Sequence, residues 1–539
     1  MSLLHYYFPP VQPVKSCRID VEICAYGTSP GAITAAVAAA RHGHTVALVV
    51  NGAHLGGLTA SGLGNTDIGN KQSIGGLARE FYRRVGAHYG VEEEWRFEPG
   101  VAEKTFRELL AAARIQPLMR EYPRAVTKEG ARLASVTFES GLVVHARQFI
   151  DASYEGDLLA LAGVTHVVGR EANTEFNELL NGVQVRETHQ FETGVDPYVV
   201  PGDPASGLLP GIESAPLPAI GDGDDKVQAY NFRMCLTQAP DRRPFPQPAG
   251  YNPQDYELLA RYLRTGWDES FKKFDRIRGG KTDTNNHGAV STDFVGGSWA
   301  FPRASWKERE TIFQRHVTWQ QGLMWFLCHD PRVPAALQAQ YRTWGLPADE
   351  FATTGGWPPH LYIRESRRMR SGYVVTEHDC RGFVRANDPV GLGAYAMDSH
   401  NCQRVVINGL VRNEGDVQAA GFKPYPISYR AITPRAGEAE NLLVPVCVSA
   451  THIAYGSIRM EPVFMILGES AAHAAHLALR RNVPVQQVPY PELQALLFAA
   501  KQAILWPTGA PGADDSVVYE PEAPPPADEP PAAKPRTAR

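Results

Sequence analysis

Three histidines and one run of arginines are the residues of this chain best suited to acid–base chemistry. His360 lies in Trp357-Pro-Pro-His-Leu-Tyr362, His400 in Asp398-Ser-His-Asn-Cys402, His452 just ahead of Arg459, and Arg364 opens Arg364-Glu-Ser-Arg-Arg368. An imidazole titrates near neutrality, so a histidine beside a substrate hydroxyl or amine can take its proton. Each histidine alone is more often structural than functional; together with Arg364 they form the candidate catalytic set. On an extended strand Arg364 would share a face with Tyr362 while Glu365 points away. The run therefore reads equally as an ion-paired structural strand or as an anchor for an anionic or polyhydroxylated substrate. Asn285-Asn-His287 is similarly ambiguous, because asparagines in loops are commonly turn formers. No H-E-x-x-H or comparable ligand spacing is present, so no metal is expected.

Such side chains need a frame, and residues 19–57 read as its first part. The apolar run 19–25, a turn of small residues, an alanine-rich stretch from Ala32 to His42 and a second apolar run from Thr45 to Val50 predict a βαβ unit. In that unit a dinucleotide pyrophosphate rests on the helix N-terminus. The G-x-G-x-x-G fingerprint appears as Gly27-x-Ser29-x-x-Ala32. All six turn positions, Gly27, Thr28, Ser29, Pro30, Gly31 and Ala32, are candidate cofactor contacts. The alternative is a buried crossover with no ligand. A second glycine loop, Gly56-Gly57-Leu58, follows the second strand, where a flavin fold needs close backbone approach and a nicotinamide fold does not. FAD is thus preferred to NAD. The acidic residue expected to hold the ribose is replaced by Val50 and Asn51, whose amide can hydrogen-bond it.

Ala134–His145 predicts a hairpin around Ser140-Gly141, Ala146–Ala152 a further strand, and Asn441–Ala450 an apolar strand followed by a helix over 464–479. The helix start, preceded by Arg459, is an electropositive end suited to flavin carbonyls, and Arg459, Glu461 and Gly468 are candidate cofactor contacts. The expected fold class is α/β: a Rossmann-like FAD-binding domain (βαβ plus β-meander) with an inserted mixed α+β substrate domain. The expected boundaries are 18–166 and 430–506 for the FAD-binding domain, 167–429 for the insertion, and 507–539 for a disordered Pro/Ala-rich tail. Within the insertion, Gln254–Arg264 and Trp306–Cys328 read as helices.

With 539 residues and a formal charge of −5, the chain has room for two or three domains and no basic excess for nucleic acid. Seven scattered cysteines without a C-x-x-C argue for a reducing compartment and against a dithiol centre. The N-terminus lacks signal-peptide features and no apolar run is long enough to span a membrane, so a cytoplasmic location is expected.

The segments His54–Gly64, Ile74–Phe81, Asp151–Leu158, Val168–Glu171, Gln228–Arg233, Tyr362–Arg368 and His452–Pro462 together resemble the FAD-dependent oxidoreductase family of the glutathione-reductase-like flavoprotein superfamily, some members of which are described as xanthan-lyase-like. The resemblance implies FAD contacts at the Gly27 turn, the Gly56-Gly57 loop, the Asp151-Ala152 turn and the Arg459–Gly468 segment. No second nucleotide-binding βαβ unit is evident, Gly296-Gly297 being followed by Ser-Trp-Ala-Phe-Pro rather than a helix. The expected reaction moves a hydride from a small polar metabolite, carbohydrate-related ones included, onto flavin, with oxygen, a quinone or a protein as electron acceptor. The alternatives are a flavin-containing lyase or isomerase without net redox change and a non-catalytic flavin-binding partner protein.

Overall fold

The computed structural model describes residues 4–11 and 16–507. Strand β1 (Cys17–Tyr26) runs from an exposed start into a fully buried C-terminal half, Ile23–Tyr26. It pairs in parallel with β2 (Val46–Val50) on one side and β6 (Leu142–Asp151) on the other. Adding β3 (Leu118–Met119), β4 (Pro123–Glu129) and β5 (Arg132–Phe138) gives the order β3-β2-β1-β6-β5-β4, with β4, β5 and β6 forming an antiparallel meander.

Two sequence expectations are corrected here. The predicted strand 146–152 is the second half of β6, which continues without a break from the hairpin and so reaches β1 along its whole length. The predicted strand 441–450 shrinks to β7 (Leu442–Leu443), parallel to β6. Pro445 lacks an amide to donate to a ladder, and beyond it the chain bends away.

Helix α1 (Pro30–Arg41) begins where Ser29 caps it, its hydroxyl accepting from the Ala32 amide, with proline in the first turn. Its alanines are buried because α1 lies between the sheet and the long helix α3 (Glu461–Arg481). The two helices touch backbone to backbone: a Cβ on Gly468 would lie 2.1 Å from the Gly31 carbonyl oxygen, and Thr34 Oγ1 donates to the Met465 carbonyl at 2.8 Å. At the far end of the crossing, His42 meets His473 (2.8 Å) and His44 meets His476 (2.9 Å), with His42 stacked on His476.

Between β6 and β7 the chain builds helix α2 (Trp306–His329), opened by a Ser305/Glu308 capping box, and a three-stranded antiparallel sheet of 234–237, 281–284 and 274–277. The helix expected over 254–264 is a 3-10 turn, Pro253–Tyr256, followed by Glu257–Leu263. A continuous apolar core joins this region to the α1–α3 layer. The N-terminal segment stitches them together: Tyr6 donates to Glu155 at 2.7 Å and packs on Phe301, Trp306 and Phe313. Residues 508–539, nearly all of the predicted tail, lie outside the described residues.

Candidate active site

Both ends of the chain converge on the turn after β1. Gly27 has φ +131°, and a Cβ there would lie 2.4 Å from the Ala152 carbonyl oxygen, so the turn at the end of β6 closes on it without room for a side chain. Ser29 Oγ donates to that same carbonyl at 2.6 Å. Asp151 is used inside the turn, accepting from Ser153 and from the Leu159 amide, and burial pushes its pKa up to about 6. Gly57 has φ +52°, with the Tyr154 hydroxyl 2.1 Å from where a Cβ would stand. The Tyr154 hydroxyl accepts from the Leu58 amide and donates to Glu461, which also accepts from the amide and hydroxyl of Thr59. The glycine loop is therefore tied to the first residue of α3.

Beside the turn, Thr28, Asn51, Gly52 and His360 line one small cavity with His5 and Tyr6. Thr28 Oγ1, Asn51 Oδ1 and His360 Nδ1 are buried there without a hydrogen-bond partner. Such groups are costly unless a ligand or water satisfies them. Together with the helix N-terminus and the absence of side-chain bulk at Gly27, this donor set fits a dinucleotide. The cavity measures about 20 Å³, room for roughly one water. Burial, with the neighbouring His54 adding to it, pushes the His360 imidazole down to about 4, so it is neutral at pH 7.

His360 thus belongs to this cradle, and the other three candidates lie elsewhere. Arg364, His400 and Arg459, all buried, meet in a second cluster around Tyr362, with Asp398, the partner of Arg459, partly exposed. The guanidiniums of Arg364, Arg459 and Arg233 stand 4.6, 5.7 and 5.8 Å from the Tyr362 ring. Each has a carboxylate: Arg364 faces Asp293 (2.9 Å), Arg459 faces Asp398 (3.1 Å), and Arg233 grips Asp283 by two bonds of 2.7 Å. His400 links two of these carboxylates, Nδ1 lying 2.8 Å from Asp293 and Nε2 3.5 Å from Asp398. Burial raises the Asp293 pKa, but Arg364 and His400 outweigh it and hold the acid at about 2. Asp398 is likewise held low against burial by His400 and Arg459. Asp283 is different, burial leaving it at about 6 despite Arg233.

His452 has both ring nitrogens engaged, Nδ1 with Glu365 at 2.7 Å and Nε2 with Ser399 at 2.9 Å. It holds the floor of the cluster, since Glu365 also binds Gln228, whose side-chain oxygen accepts from the His400 amide. The alternation expected over 362–365 is observed, with Arg364 on the Tyr362 side and Glu365 turned to His452, although only Arg368–Met369 is a regular strand. Gly468 packs on Gly31 and sets the helix crossing.

Sequence reasoning overlooked Arg233, Asp283, Asp293, Asp398 and Tyr154 as site residues. One signal was available: Asp398 and His400, two apart at the end of a strand, share a face. The others come from distant segments and have no common spacing.

A small-residue turn on a helix N-terminus, a glycine loop tied to the closing helix and a separate buried polar cluster together define a dinucleotide-binding α/β enzyme fold. The sequence model of the FAD dependent oxidoreductase family matches residues 22–497. The chain belongs to that family, and FAD is its cofactor. Among solved structures, partial matches include the L-amino acid deaminase from Proteus vulgaris (12% identity, TM-score 0.24, covering 31% of this chain and 55% of that one), the L-proline dehydrogenase from P.horikoshii (15%, 0.18, 30% and 26%) and a geranylgeranyl bacteriochlorophyll reductase-like protein from Thermoplasma acidophilum (17%, 0.21, 34% and 49%). This chain spans about half or less of each, and likenesses this partial carry no argument about substrate. A search of the curated proteins finds no match. Among the described residues no helix is long and apolar enough to cross a membrane.

Proposed function

We propose that this oxidoreductase oxidises a carbon bearing a hydroxyl or amine in a small, neutral, polar metabolite, carbohydrate-related compounds included, and that His400 takes the heteroatom's proton. The supporting observation is the setting of His400 between Asp293 and Asp398. With Nδ1–H donated to Asp293, the Nε2 lone pair is the base, and the imidazolium formed lies between two carboxylates. FAD, when bound, supplies the acceptor for the hydride.

Three guanidiniums matched by three carboxylates leave little spare charge for an anionic substrate. Their remaining donors, with Tyr362, suit hydroxyl groups. Thr28, Asn51 and the first-turn amides of α1 would hold the dinucleotide, with Gly56, Gly57 and Leu58 bordering its flavin half. Electrons would leave to oxygen, a quinone or a protein. The seven cysteines, all free, support a reducing, cytoplasmic setting.

Anaerobic mixing of the yellow protein with alcohols, sugars and amines should bleach the flavin band with one class. His400→Asn should slow that bleaching by about 10²–10⁴-fold at unchanged flavin content; an undiminished rate rules His400 out as the base.

A further inference from the structure

A large cavity shares no lining residue with the dinucleotide cradle or the Tyr362 cluster. About 780 Å³ in volume, it opens between helix α2, the segment 290–297 and the loops around 210–213 and 249–258. The pair Gly296-Gly297, not followed by a nucleotide-binding helix, lies in its wall. Phe294 and Trp319 stack there with centroids 5.0 Å apart, beside Leu258 and Val290. The segment separates two sites: Asp293 turns to His400 and Arg364, whereas Phe294, the next residue, lines the cavity.

The wall carries two arginines, Arg315, which is exposed, and Arg404, which is 5% exposed. The Arg404 Nη2 donates to the Ala289 carbonyl at 3.1 Å, and its Nε is buried without a partner. The other buried arginines among the described residues, such as Arg170, Arg233, Arg309, Arg364 and Arg368, each have a carboxylate within 2.9 Å or little more. Among the described residues Arg404 has none within ion-pair distance. The acidic residues of the same wall are occupied or out of reach: Glu310 is held by His5 and the amides of Tyr6 and Tyr7, Asp255 accepts from Asn252, and Glu213 bonds Arg404 only through backbone. Burial lowers the Arg404 pKa to about 10, with only Asp293 opposing it, so the group stays charged at neutral pH. A buried, charged guanidinium without a counter-ion, facing a roomy and largely apolar cavity, is a site missing its anion.

We propose that this cavity binds a monocarboxylate with an apolar body, the carboxylate taken by Arg404 and the body laid along Phe294, Trp319, Leu258 and Val290. It is a site distinct from the one where the hydride is removed, and its test is independent of turnover.

Calorimetric titration of the full-length, FAD-loaded protein with benzoate, octanoate, their amides and inorganic phosphate tests the assignment. At least one of the two carboxylates should bind, with its amide at least tenfold weaker and phosphate weaker still. Arg404→Met should weaken that carboxylate at least tenfold and raise the melting temperature, because it removes an uncompensated charge. Thr318→Trp, on α2 at the cavity wall, should abolish binding by filling the space, which keeps the test open if Arg404→Met does not fold. The proposal is overturned by equal affinity for acid and amide, by phosphate binding as tightly as octanoate, by failure of both carboxylates, or by unchanged affinity in either folded variant.

Discussion

Glu461 opens helix α3, where the helix dipole favours a negative charge, yet burial pushes its pKa up to about 7 against the pull of Thr59 and Tyr154. Desolvation wins because no cation pairs with it and its donors are neutral. An acid whose pKa is higher in the folded chain than its ordinary 4.5 stabilises the fold fully below pH 4.5, and that contribution is lost as pH rises through about 7. The full effect is about 3 kcal/mol. Melting curves between pH 4.5 and 8 should therefore fall more steeply for the native protein than for Glu461→Gln. Parallel curves would move the origin of the pH dependence elsewhere. His400 and His452 show the same dominance of setting over type: both are buried beside carboxylates, but His452 is held by Glu365 and Ser399 at 2.7 and 2.9 Å, whereas Nε2 of His400 has only the longer 3.5 Å contact to Asp398.

At the scale of elements, the decisive contact is the crossing of α1 and α3, since it holds the small-residue turn and the glycine loop against one another. Gly468 permits it. In Gly468→Val the new side chain meets the Gly31 backbone, which cannot rotate aside. Denaturant unfolding should show a loss of about 1–3 kcal/mol, and FAD content should fall because the helix N-terminus is displaced. Gly372→Ala, at a position with open space and ordinary backbone, is the matched control and should be near neutral. If both variants unfold alike, the crossing is not under steric control. The elements themselves were legible where one local pattern dominated. The alanine-rich α1, the Ser140-Gly141 hairpin and α2 follow their sequence expectations to within two residues or so. The reading failed over 441–450, where an apolar run satisfied the strand pattern and Pro445 broke the ladder.

At the scale of the molecule, the N-terminal segment bridges the meander and the turn after it to helix α2. Tyr6 and Tyr7 reach Glu155, Glu139 and Tyr122 on one side and Glu310 and Trp306 on the other, and Tyr6 also lines the cofactor groove. Tyr6→Ala should cost about 3–5 kcal/mol in urea unfolding and, by widening the groove, should speed FAD uptake followed by flavin fluorescence. Uptake no faster than in the native protein would mean that the groove opens elsewhere.

What the residues determined unaided was the dinucleotide half. A βαβ unit is written in about forty consecutive positions, because periodicity, a turn of small residues and helix capping are local effects. The surroundings of the proposed base are not local. Arg233, Asp283, Asp293, Tyr362, Asp398, His400 and Arg459 come from segments separated by up to about 230 positions, and their pairing depends on which loops the core brings together. Nor does any spacing reveal that Arg404 lacks a carboxylate among the described residues, or that a tyrosine from the first ten residues lines the cavity beside Thr28 and Asn51, since burial and counter-ions exist only once the chain has packed.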